Sequence, residues 1–97
     1  MKQALEQAQR MQQGLVRIQE ELAGARVEGS AGGLKATVTG QGELVGISIP
    51  PEALEGADPD LLEDMILAAV RDAVEKSREL QAARMRDLGM PSLGGLL

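Results

Sequence analysis

Apolar residues recur at alternating steps of three and four along the first quarter of the chain: Met1, Ala4, Ala8, Met11, Leu15, Ile18 and Leu22. That spacing places them on one narrow seam of a helix of about six turns. The remaining surface is polar and rich in glutamine, with Gln3, Gln7, Gln9, Gln12, Gln13 and Gln19. A seam this narrow calls for another helix to lie against. The predicted helix runs from Lys2 to Ala23, with Gly24 as its stop. Gly14 lies inside it at a cost of about 1 kcal/mol relative to Ala, unless it allows a close approach of backbone.

The period then changes. Val27 to Ser30 is a short extended run, and Leu34, Ala36 and Val38 alternate with Lys35, Thr37 and Thr39. Val45, Ile47 and Ile49 alternate in the same way with Leu44, Gly46 and Ser48. Alternation of this kind marks half-buried strands. Ala31-Gly32-Gly33 and Gly40-Gln41-Gly42 are the turns between them, which gives a three-stranded antiparallel meander. Pro50-Pro51 ends the third strand, because neither residue can donate to a ladder, and one helical turn is expected over Pro51–Leu54.

Asp58-Pro59 opens a second, long helix, with Asp58 as N-cap and Asp60, Glu63 and Asp64 in its positive first turns. Leu61, Leu62, Met65, Ile66, Ala69, Val70, Ala73, Val74 and Leu80 carry its apolar stripe; Arg84 and Arg86 suit its C-terminal end and Gly89 stops it. A helix of about 30 residues is about 45 Å long and overhangs a domain of this size. The pattern therefore predicts an α+β domain over residues 1–88, built as helix, meander and long helix, with 89–97 as a flexible tail.

Composition sharpens this reading. The chain has 97 residues and no Phe, Tyr or Trp, so its core rests on Leu, Ile, Val, Met and Ala. A core so small gains from a partner subunit, and with the overhanging helices this predicts a dimer with protruding helical arms. The residues expected in dimer and arm packing are Met11, Leu15, Ile18, Leu22, Val45 and Ile47. No Cys or His is present, which removes the usual nucleophile, general base and metal ligands. The carboxylates Asp60, Glu63 and Asp64 are explained by the helix dipole, and the glycine clusters precede no helix, as a phosphate loop would require. No enzyme, cofactor, metal or small-molecule substrate is expected. No apolar run approaches the ~18 residues of a membrane span, so a soluble cytoplasmic protein is expected.

Net charge is −5, but it is segmented. Residues 52–64 hold six acids and no base, whereas residues 71–86 hold five bases against three acids. Arg10 and Arg17 are seven apart on one face of the first helix, with Lys2 near the same stripe; Arg71 and Arg78 repeat the spacing on the second, with Arg86 close by. Two such stripes on the arms of a dimer are able to flank a duplex. The lack of aromatics disfavours readers of unpaired bases.

The ordered series Met1-Lys2-Gln3-Ala4, Gln9-Arg10-Met11-Gln12, Val27-Glu28-Gly29-Ser30-Ala31-Gly32-Gly33-Leu34, Val38-Thr39-Gly40-Gln41-Gly42, Ile49-Pro50-Pro51 and Leu61-Leu62-Glu63-Asp64 resembles the YbaB/EbfC family of bacterial nucleoid-associated proteins. The likeness spans essentially the whole chain. It implies a tweezers-shaped homodimer that binds double-stranded DNA at the nucleoid and influences gene expression. It also implies arms over Lys2–Ala23 and the far part of Asp60–Leu88, with Lys2, Arg10, Arg17, Arg78, Arg84 and Arg86 as the candidate DNA contacts. The alternative kept beside it is a dimeric scaffold whose arms grip a protein partner.

Overall fold

The computed structural model describes residues 2–89. The order of elements is α1 (Lys2–Gly24), β1 (Arg26–Ala31), β2 (Leu34–Thr39), β3 (Leu44–Ser48), α2 (Pro51–Leu54) and α3 (Pro59–Asp87). The strands form one antiparallel sheet in the order β1-β2-β3. Met1, at the head of the seam, and the expected tail beyond Gly89 lie outside the described residues.

Local chemistry accounts for each boundary. Asp58 caps α3 by accepting the Asp60 N–H at 3.3 Å, and Pro59 fills the first helical position. At the other end Gly89 takes a positive φ of 84° and donates to the Arg86 carbonyl at 2.9 Å. The β1–β2 hairpin turns on Gly32 and Gly33, both at positive φ (56° and 86°), as a two-residue turn between right-twisted strands requires. In the next connection the Thr39 hydroxyl oxygen accepts the N–H groups of Gln41 and Glu43, each at 3.2 Å.

α3 lies across β1 and β2. Ala36 and Val38 of the sheet and Ala69 and Ala73 of the helix form the buried cluster, flanked by Val27, Ala31, Val70 and Val74. Small residues let the helix sit close. Gly29, opposite Ala36 in the register, lies directly under α3, and a Cβ there would fall 2.2 Å from the Ala73 backbone nitrogen. Asp72 fastens the β1 edge by accepting the Ser30 N–H at 3.0 Å.

β3 differs from the expected alternation. Ile47 stands opposite Ala36 and Gly46 opposite Thr37, but Val38 then pairs with Leu44, so Val45 is the extra residue of a bulge. Leu44 and Ile47, rather than Val45 and Ile47, therefore extend the face that α3 packs on. α3 stops short of them: Leu44, Val45 and Ile47 remain 50%, 51% and 42% exposed.

Two helices share the overhang. The far end of α3 does not project alone. It meets the second half of α1, where Ile18 and Leu22 are buried and Leu15 is half-buried. Leu88 rests over Gly14, whose missing Cβ would stand 2.5 Å from the leucine Cδ1. The whole of Lys2–Gln13 is exposed. Among the described residues the first half of α1 thus reaches beyond the body, in a molecule 68 × 28 × 15 Å in extent.

Candidate nucleic-acid interface

One backbone junction aims the projecting arm. The Leu22 carbonyl, among the last of α1, accepts the Gly40 N–H at 2.8 Å, and the Gly40 carbonyl accepts the Gln81 side-chain amide of α3 at 2.8 Å. Gln41 adds a bond from its amide to the Gln19 side-chain oxygen at 3.1 Å. Two helices and the β2–β3 turn are therefore tied through a single residue, Gly40. Sequence alone gives no sign of this tie, since Gly40 and Gln81 are 41 residues apart and each looks ordinary in its own element.

Beyond the junction the cations gather. Arg17 and Arg84 line one hollow between α1 and α3, together with Gly14, Ile18, Glu21 and Leu88. Arg10 lines the adjoining hollow with Gln7, Met11 and Leu88. Arg10 and Arg17 are two turns apart, about 10 Å along the helix. Lys2 stands at the arm's tip and Arg86 on the exposed side of the last turn of α3. Lys2, Arg10, Arg17 and Arg86 make no ion pair among the described residues.

Arg84 is held differently. Its guanidinium lies 3.8 Å from the Glu21 carboxylate on α1 and 3.6 Å from Asp87 on its own helix. Both contacts are long and half exposed, so each contributes little. They orient Arg84 toward α1 and leave it able to exchange a carboxylate for a phosphate.

Arg78 does not join this surface. It lies with Arg71, Glu75 and Glu79 along a shallow groove on the outward side of α3, whose apolar lining is Val70, Val74 and Ala82. The six acids of residues 52–64 lie on α2, the linker and the first turns of α3. From Asp60 to Arg84 is about 36 Å along the helix axis, so the acids and the gathered cations occupy opposite ends of α3. No described helix is long and apolar enough to cross a membrane.

An α+β protein whose cations collect on an exposed helical arm and on the end of a second helix belongs to the class that meets a polyanion at its surface rather than in a pocket. Comparison with known proteins is specific. The pattern of the YbaB/EbfC DNA-binding family matches residues 1–91, and the chain belongs to that family. A nucleoid-associated protein of Saccharopolyspora erythraea is 48% identical over 103 residues, covering 99% of this chain and 89% of the relative. One of Streptomyces avermitilis is 48% identical, covering 98% and 85%. One of Deinococcus radiodurans is 44% identical, covering 94% and 96%. The family is one of bacterial DNA-binding proteins, not of enzymes.

Proposed function

We propose that the protein binds double-stranded DNA at the nucleoid, in the bacterial cytoplasm, as a tweezers-like homodimer whose arms hold the duplex mainly by its phosphates. By coating or bridging DNA it contributes to nucleoid organisation and influences gene expression. The observation that carries this reading is the exposed arm of α1, which presents Lys2, Arg10 and Arg17, none of them in an ion pair among the described residues, beside Arg84 and Arg86, on a chain of net charge −5. The names of the relatives support the nucleoid as its place.

The chemistry of these groups favours phosphate over base edges. Arg10 and Arg17 stand two turns apart on one exposed helix surface, a spacing suited to successive phosphates; in this reading they position rather than specify. Affinity then depends steeply on salt and weakly on sequence. The test is a titration of labelled duplex with protein at increasing salt. Binding at low salt that weakens on several unrelated sequences alike is the expected result. Absence of binding at micromolar protein in low salt, or binding indifferent to salt, refutes it.

A second reading rests on Leu5, Met11 and Val16, which are exposed on the same arm. In that reading the arm grips helices of a protein partner. Substituting Leu5 and Val16 with Gln decides between them: DNA binding persists in the first reading and is beside the point in the second, where capture of the partner is lost.

A further inference from the structure

Of the cations gathered at the arm, Arg84 alone lies in ion pairs among the described residues, with Glu21 and Asp87. We propose that these two carboxylates are built-in competitors for the DNA phosphate that Arg84 binds. They hold the guanidinium in the free protein and release it when DNA arrives, so they keep affinity down and the contact reversible. This is a regulation of the site described under the proposed function, and it rests on that reading. The geometry separates the arrangement from an incidental surface pair. Glu21 is on α1 and Arg84 on α3, and both lie beside the tie through Gly40. Glu21 directly precedes Leu22, whose carbonyl accepts the Gly40 N–H, and Arg84 lies one turn beyond Gln81, whose amide donates to the Gly40 carbonyl. The joining of the two helices, rather than a chance meeting of long side chains, therefore sets this carboxylate before this guanidinium.

Charge balance in the hollow points the same way. Its lining holds Arg17 and Arg84 with Glu21 and Asp87, two cations against two anions, so it is neutral in the free protein. Carboxylate and phosphate offer a guanidinium the same chemistry, anionic oxygens that accept its N–H groups. Arg84 stands 3.8 Å from Glu21 and 3.6 Å from Asp87, farther than the roughly 2.7–2.9 Å of a tight charged hydrogen bond. The carboxylates are thus loose holders, which a phosphate accepting two N–H groups at once displaces. A pair whose work was to fasten α1 to α3 would sit closer and be buried. Here the side chains of Arg84, Glu21 and Asp87 are 46%, 52% and 70% exposed, and the buried Ile18 and Leu22 do the fastening.

Anisotropy titrations of labelled duplex at physiological salt test this on the full chain. Glu21→Gln keeps the length of the side chain and removes its charge, and it is expected to raise affinity about three-fold. Asp87→Asn, which touches α3 alone, is expected to act in the same direction, and the two together to give about ten-fold. Glu20→Gln makes the same change in net charge one residue away. Glu20 is two positions from both Ile18 and Leu22, on the side of α1 turned away from α3, so its loss is expected to leave affinity nearly unchanged. With Arg84→Gln in place, the gain from Glu21→Gln should disappear. An equal gain from Glu20→Gln overturns the proposal, because net charge alone would then account for the effect. Binding left unchanged or weakened by both Glu21→Gln and Asp87→Asn overturns it as well. A wild type that binds duplex without these gains refutes the competitors and leaves the DNA reading standing, whereas a wild type that binds no duplex even at low salt refutes both.

Discussion

At Gly29 the absence of a side chain sets the distance between helix and sheet. The backbone nitrogen of Ala73 and the carbonyl oxygen of Ala69 both stand under 3 Å from where a Cβ would be, at 2.2 and 2.5 Å. These are main-chain atoms of a long helix and cannot step aside one at a time. Gly29→Ala should therefore lift α3 from β1 and destabilise the fold by about 3 kcal/mol, read by urea or thermal unfolding at fixed protein concentration. The sequence shows Gly29 only as one glycine in a cluster near a turn. Gly32 and Gly33 can be read as the turn itself, because their spacing between alternating runs states a hairpin. What Gly29 lies beneath depends on a helix some forty residues away.

Asp72 belongs to the same scale. Its carboxyl is held below the ordinary value of 3.8, first by the Ser30 N–H it accepts and then by its hydrogen bond and charge interaction with Lys76, with partial burial opposing them. A carboxyl depressed on folding adds stability that is fully present above its unfolded value and is lost as pH falls through the lower folded value. Stability of the wild type should thus fall on acidification below about pH 4. Asp72→Asn removes this contribution: the gap between variant and wild type, clear at neutral pH, should close as the pH drops through that range. Urea midpoints across the acid range measure it, and a constant gap would show that the carboxylate charge is irrelevant to the interaction.

Among the elements, α1 is the least evenly supported. Its second half is seated through Ile18, Leu22 and the Leu22–Gly40–Gln81 tie, while Lys2–Gln13 is exposed throughout. Isolated helices of this length are marginal. Amide hydrogen exchange should show fast opening over Lys2–Gln13 and slow exchange in β2 and mid-α3. Leu22→Ala should carry the fast exchange into the rest of α1, at a cost of about 2–4 kcal/mol, with β2 still protected. The 3–4 seam makes the helix legible, and Asp58-Pro59 and Gly89 make α3 legible, because caps and periodicity are local signals. The bulge at Val45 is not legible: strict alternation of Val45, Ile47 and Ile49 describes an unbroken strand equally well, and the bulge is set by the partner register. Nor is the way α3 ends against α1, which depends on Leu88 finding the gap at Gly14. The placing of Arg10, Arg17 and Arg84 in two adjoining hollows around Leu88 follows from that packing and is hidden with it.

For the whole molecule the question is how a chain of net charge −5 can hold a polyanion, and distance supplies the answer. Of the acids of residues 52–64 the nearest to Arg84 is Asp64, about 30 Å away along α3. At physiological salt the screening length is about 8 Å, so repulsion from that end hardly reaches DNA seated at the arm; at about 0.01 M salt the length is near 30 Å and it does. The two ends should therefore respond differently to substitution. Arg10→Glu with Arg17→Glu removes cations at the arm itself, so affinity should drop at least about ten-fold on every sequence, and the dependence of log affinity on log salt should become shallower by about one for each phosphate no longer neutralised. Neutralising Asp60, Glu63 and Asp64 to their amides should raise affinity at low salt yet leave it nearly unchanged at physiological salt. Anisotropy titrations of both variants across a salt series measure this contrast. If the distant amides raised affinity equally at both salts, the DNA would have to lie near the first turns of α3, and the arm of α1 would not be its seat.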